Sequence, residues 1–327
     1  IRIIPANITK VDNSIPNDHR LYSATRNFSI KPNYTKPFTA LGQPTIWYFN
    51  NYGFRDHPYP TNEIKGNVFR VLFLGDSMVM GVGVEDNETL PKQLENILRQ
   101  KASSKDRFIE VFNMGIASYS TEQYEATLRE IGLNFKPDLI VVGIYANDPG
   151  EDIINKRNSR YIWLRAIPDT IFPYPVNAYL ETHSKLFLFL VTKYYSFTTR
   201  FVPNSDPWTN KVLYDQGWQL TEEAIVNMQR LAKTVSSNIA FIGIPSIDEV
   251  LETGKMPEDR EEKFIEVGKK HHLFYFDLEQ DLKKQPAVKD LFLGGTDIHF
   301  TPLGNRVAAE LMLDYLIKEK LAPGTKE

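Results

Sequence analysis

"VLFLGDSMVMGVGV", residues 71–84, is the stretch whose reading decides the fold. Four strand-forming residues, Val71-Leu72-Phe73-Leu74, run straight into Gly75-Asp76-Ser77. A short apolar run bounded by turn residues fits a strand covered on both faces. Its abrupt end admits two readings. One is a routine strand-to-helix turn with Ser77 as the helix cap. The other is a nucleophile held at the C-terminal edge of a sheet.

Outward from this stretch, strand and helix patterns alternate. Strands are predicted at Phe69–Leu74, Phe108–Phe112, Asp138–Ile144 (DLIVVGI), Ile239–Ile244 and Leu273–Phe276. Between and after them, helices are predicted at Leu90–Gln100, with Leu90, Leu94, Ile97 and Leu98 on one face, and at Thr121–Ile131, capped by Ser120 or Thr121. Further helices are expected at Thr221–Ser236, Pro257–Lys270 and Pro302–Lys318, the last with proline near its first turn. Five buried strands separated by helices predict a three-layer α/β/α architecture around a flavodoxin-like, doubly wound parallel sheet. Such sheets bind ligands outside the carboxyl ends of their strands.

Two regions break the alternation. Residues 1–66 hold seven of the 20 prolines, a density that forbids a long helix because each proline lacks an N–H and clashes with the preceding turn. They are expected to form an extended, proline-rich arm, with short strands around Thr45–Phe49, packing on a body of residues 67–327. Residues 153–220 are rich in aromatic side chains, among them Tyr161, Trp163, Trp208, Tyr214 and Trp218. They read as an insertion after the third strand, placed to cap the strand ends.

Composition narrows the function classes. With 42% hydrophobic and 24% charged residues in 327, a sizeable core is expected. A net charge of −3 and no Lys/Arg-rich block argue against nucleic acid as a partner. The absence of cysteine excludes disulfides, thiolate metal sites and a cysteine nucleophile. No stretch reaches the ~20 apolar residues that span a bilayer. The chain starts at Ile1 without methionine, so removal of an upstream signal or anchor, and with it export or membrane tethering, is the expectation.

Chemistry-bearing residues follow the strands. Gly75-Asp76-Ser77 follows the first, Asn113-Met114-Gly115 the second, and Tyr145-Ala146-Asn147-Asp148 the third; Thr296-Asp297-Ile298-His299 precedes the last helix. In a parallel sheet these points share one edge. A serine hydroxyl is a weak nucleophile and needs a base. Histidine can remove a proton and return it. A carboxylate fixes the imidazole tautomer and stabilises the imidazolium. A tetrahedral intermediate carries an oxyanion, which the N–H groups of Ser77 and Gly115 and the side-chain amide of Asn147 could receive.

On these blocks the sequence resembles the SGNH hydrolases, the GDSL lipase/acylhydrolase superfamily, over about residues 67–320. GDS matches the nucleophile block, NMG the glycine block, KPDLIVVGIYAND the asparagine block and DIHFTPLGNRVAAEL the histidine block. NNYGFRD at 50–56 resembles the lead-in of a bacterial subgroup whose members are often exported or membrane-tethered. The resemblance implies Ser77 as nucleophile, Gly115 and Asn147 as completing the oxyanion hole, and His299 as base. One departure stands out. The family usually places its aspartate three residues before the histidine, where this chain has Thr296; the acid here is Asp297, two residues before. Residues two apart in an extended segment project to the same side, so Asp297 is taken as the acid.

Each residue also has a plainer reading. Ser77 could cap a helix, Gly115 could serve a turn, and Asn147-Asp148 could be a turn in which Asp148 orders the loop. Asp76 is expected to be structural, and so is His271-His272, for which no metal-ligand spacing is evident. The expected function is a serine esterase on acyl esters, with O-acetyl groups on carbohydrate as one substrate class and no metal or cofactor. A glycan O-acyltransferase and a binding module with a decayed triad are the alternatives.

Overall fold

A computed structural model of the chain describes residues 19–23, 25–40, 43–60, 67–101, 108–156, 211–253, 259–295 and 298–323, with isolated positions between 180 and 193. Most of the aromatic-rich insertion, together with Thr296 and Asp297, lies outside the described residues.

Among the described residues, nine strands fall into three sheets. β1 (Arg20–Ser23) and β2 (Asn27–Ile30) form one antiparallel hairpin, β3 (Tyr34–Ala40) and β4 (Gln43–Phe49) a second. The central sheet holds β5 (Val68–Gly75), β6 (Phe108–Gly115), β7 (Leu139–Tyr145), β8 (Asn238–Ile244) and β9 (Phe274–Asp277). All its pairings are parallel, in the order β6-β5-β7-β8-β9. The order reverses at β5, the flavodoxin-like arrangement predicted from the sequence.

Val71, Leu72, Phe73 and Leu74 are each 0% exposed, as a strand covered on both faces requires. Phe69, Val71 and Phe73 pack with Leu90, Leu94 and Leu98 of helix Leu90–Lys101 and with Ala308, Met312 and Leu316 of helix Pro302–Lys318. Leu72 and Leu74 face the opposite layer, with Tyr124 and Leu128 of helix Thr121–Glu130 and Ile225 and Met228 of helix Lys211–Thr234. No helix among the described residues is long and apolar enough to cross a membrane.

Several predicted elements differ in extent, three of them at their starts or in number. The described part of the N-terminal region carries four strands between Arg20 and Phe49, where short strands were expected only around Thr45–Phe49. Its prolines exclude helix but not strand, because Pro37 and Pro44 sit in a two-stranded ribbon where each strand has a side free of pairing. The helix expected from Thr221 starts at Lys211: Tyr214, Trp218, Thr221 and Ile225 repeat every three to four residues and are all buried. That helix takes in 211–220, which the sequence reading had placed in the insertion. The helix expected from Pro257 begins at Arg260.

β6 is an edge strand, and its outward carbonyls are met by side chains. Arg99 donates to Ile109 O at 3.0 and 2.8 Å, Lys92 to Val111 O at 2.7 Å, and Tyr59 Oη to Asn113 O at 2.7 Å. These donors close an edge that would otherwise template another strand. The last of them, Tyr59, comes from the N-terminal region and ends near the strand-end loops.

Candidate active site

Ser77 opens a single helical turn, Ser77–Met80, directly after β5. The cap of that turn is Asp76 rather than Ser77: its Oδ1 accepts the Met78 N–H at 2.9 Å. Capping by the neighbour leaves the Ser77 hydroxyl unoccupied by local structure. Gly115 makes the approach of this turn to β6 feasible, since a Cβ there would lie 2.4 Å from Met80 N. Around Ser77 every residue from Val71 to Met80 is buried, whereas Ser77 itself is partly exposed.

His299 reaches Ser77 from the far end of the chain. Its Nε2 lies 2.9 Å from Ser77 Oγ, across 222 positions of sequence. The histidine is held by a short ladder: Phe292 and Phe300 pair as an antiparallel bridge, Leu293 N–H donates to His299 O at 2.9 Å, and Thr301 N–H donates to Leu291 O at 2.9 Å. Thr301 then caps helix Pro302–Lys318 by accepting the Gly304 N–H at 3.1 Å. Gly304 lets that first turn seat on the ladder, because a Cβ there would meet Leu291 O at 2.0 Å.

Asn147 follows β7 at the same edge and is partly exposed. Its Oδ1 is buried without a hydrogen-bond partner. Asp148 orders the loop as expected, accepting the Tyr145 N–H and the Tyr124 hydroxyl, each at 2.8 Å. Gly115 is placed at the same edge, but its N–H donates to Asn113 Oδ1 at 3.0 Å. That donor is therefore engaged inside the protein, a role the sequence reading did not foresee. In the loop that follows, Ser118 holds φ 73, a left-handed conformation that is uncommon for a residue with a Cβ.

Beneath the serine lie three buried carboxyls. Burial pushes Asp76 up to about 6, against the opposing pull of the Met78 N–H and of His299. Asp148 is raised well above the usual range by burial and then by the charges of Asp76 and Asp152. Burial also raises Asp152, whose Oδ2 takes the hydroxyls of Thr121 and Thr221, each at 2.6 Å. Neighbouring like charges with little solvent make it costly to ionise all three. Among the described residues no group of histidine, cysteine or acidic side chains has the arrangement of a metal site. His271 pairs with Glu222 at 2.5 Å, in keeping with its structural reading.

Sequence reasoning missed two neighbours of this site. Arg55 and Asp56, both buried, extend from the N-terminal region to the segments on either side of the Ser77 turn. Their sequence signal is the NNYGFRD block at 50–56, read above for its resemblance and not for what these two side chains hold.

No family model matches the sequence, and no curated protein matches it. Among solved structures the chain is similar to the lipase/acylhydrolase from Enterococcus faecalis, at 16% identity and TM-score 0.45, covering 79% of this chain and 100% of that one. It is similar to a putative lipolytic protein of the G-D-S-L family from Desulfitobacterium hafniense, at 14% identity and TM-score 0.45, covering 76% and 99%. A catalytic mutant of Axe2, an acetylxylan esterase from Geobacillus stearothermophilus, is similar at 14% identity and TM-score 0.45, covering 77% and 95%.

Proposed function

We propose that the protein is a serine hydrolase of the SGNH type, cleaving acyl esters through an acyl-enzyme, with O-acetyl groups on carbohydrate as one substrate class. The observation that carries this reading is the 2.9 Å contact between Ser77 Oγ and His299 Nε2. It joins a hydroxyl and an imidazole at the carboxyl edge of a parallel sheet, within the reach that proton transfer needs. In the proposed reaction His299 takes the Ser77 proton as Oγ attacks the ester carbonyl. The tetrahedral intermediate collapses, the alcohol leaves with the proton returned by His299, and water repeats the sequence on the acyl-enzyme. Asp297 is assigned to orient His299. The Ser77 N–H and the side-chain NH2 of Asn147 are assigned to the oxyanion; Gly115 adds its N–H only on release from Asn113.

Hydrolysis of p-nitrophenyl acetate, butyrate and octanoate, together with fluorophosphonate labelling, tests the proposal. Ser77→Ala should lose both labelling and at least about 10³-fold in turnover while keeping its melting curve. Undiminished turnover in that variant would refute the assignment. Turnover that appears only when a glycan acceptor is added would shift the reading to acyl transfer.

A further inference from the structure

We infer that Arg55 and Asp56 are positioning residues for the Ser77 turn, clamping it from both sides; the inference rests on the esterase reading above. Asp56 is 2% exposed. Its Oδ2 accepts the Asn113 backbone N–H at 2.8 Å and the Tyr59 hydroxyl at 3.1 Å. Its Oδ1 accepts the His57 N–H at 2.8 Å and lies 2.7 Å from both Lys92 Nζ and His57 Nδ1. Burial works against the charge, but the His57 and Lys92 contacts prevail and hold the carboxyl below its usual range. The grip passes on through Asn113, whose Oδ1 takes the Gly115 N–H, and Gly115 is where the Ser77 turn rests on β6.

Arg55, 1% exposed, holds the other side. Its guanidinium donates to Gly81 O and, at 2.6 Å, to Val84 O, while Nε lies 2.7 Å from Asp86 Oδ1. Gly81 closes the turn that Ser77 opens, its N–H donating to Ser77 O at 3.0 Å. Two adjacent side chains therefore fix the floor and the exit of the nucleophile turn. A planar fork onto two carbonyls is something lysine cannot reproduce. Neither side chain is assigned contact with substrate; each acts through the backbone that carries Ser77.

The test uses the full chain, with active sites counted by fluorophosphonate titration, so that kcat is read per labelled site and loss of folded protein is factored out. Arg55→Lys and Asp56→Asn should lower kcat on p-nitrophenyl acetate by about 10–100-fold, with KM within about threefold, since small misplacements of a reacting group are costly. Tyr59→Phe keeps the ring that stacks on Phe112 at 4.3 Å and removes only the hydroxyl, so it carries the test if Asp56→Asn does not fold. Its kcat should fall about three- to tenfold. If wild type labels at Ser77 and all folded variants keep kcat per site within twofold, this inference alone is overturned. If wild type does not label at all, the esterase reading fails and takes the inference with it.

Discussion

At the scale of single residues, the site separates groups that hold structure from groups left open for chemistry. Asp76 spends its carboxylate on the Met78 N–H and so frees Ser77. Asn147, by contrast, is partly exposed at the strand edge; its Nδ2 is the donor an oxyanion would need, while its Oδ1 is buried without a partner. If that amide serves an oxyanion, Asn147→Ala should lower kcat by about 10²–10³ with little change in KM. Because an unsatisfied buried oxygen disappears with it, thermal stability should stay level or rise. A variant that loses stability while keeping kcat would move Asn147 to a structural role. Asp297→Asn should cost up to about 10⁴ in kcat if Asp297 orients His299, while Thr296→Val should cost little; a Thr296→Val variant more impaired than Asp297→Asn would reverse the assignment. The buried acid pair makes a pH prediction. Asp76 is raised from 3.8 to about 6, so its contribution to stability is complete below the unfolded value and is lost as pH rises through about 6. Asp76→Asn can still accept from Met78 N–H and removes the titration. Its melting temperature relative to wild type should therefore rise between pH 4 and pH 8. A difference that stays constant over that range would show that Asp76 does not titrate as described.

At the scale of elements, the base is delivered by the junction of a small ladder and a helix start. The bridge between Phe292 and Phe300 and the Thr301 cap determine where His299 stands. Gly304→Ala would place a methyl 2.0 Å from Leu291 O, so ladder and helix must part. Overpacking of this kind costs about 1–3 kcal/mol. Unlike an ordinary core defect, it should also lower kcat in the surviving folded protein, because the segment that shifts carries His299. Chemical denaturation alongside kcat per titrated site would separate the two effects; full kcat at reduced stability would show that the ladder does not position the base.

At the scale of the whole molecule, the described part of the N-terminal region shares one of the two hydrophobic clusters with the central sheet. Phe28, Trp47, Phe49, Phe54 and Tyr59 share a cluster with Leu72 and Leu74 of β5 and with Phe112 of β6. Phe54 is 0% exposed. Phe54→Ala should therefore cost about 3–5 kcal/mol, the range for deleting a buried aromatic side chain. The loss should fall on one cooperative transition, with amide protection in 50–60 and in 69–75 falling together in hydrogen exchange. Loss of protection confined to 50–60 would instead make the N-terminal region an independent unit.

The sequence by itself determined the order of the five central strands and of the helices predicted between and after them, because apolar periodicity and turn residues are local signals. It also placed Ser77, Asn147 and His299 at strand ends, and parallel strands share an edge; the structure then put Ser77 and His299 in contact. Tertiary structure decided what depends on partners distant in the chain. It also settled two choices between local partners: Asp76 caps the turn that Ser77 could have capped, and Gly115 gives its N–H to Asn113, each across two positions. The proline-rich region pairs as two hairpins because each strand keeps a free side. Arg55 and Asp56 look like surface charges in the sequence, yet they are buried against carbonyls and an N–H that lie 26 to 57 positions away. A backbone group's need for a hydrogen bond is the same everywhere in the chain, and only the folded arrangement decides which side chain meets it.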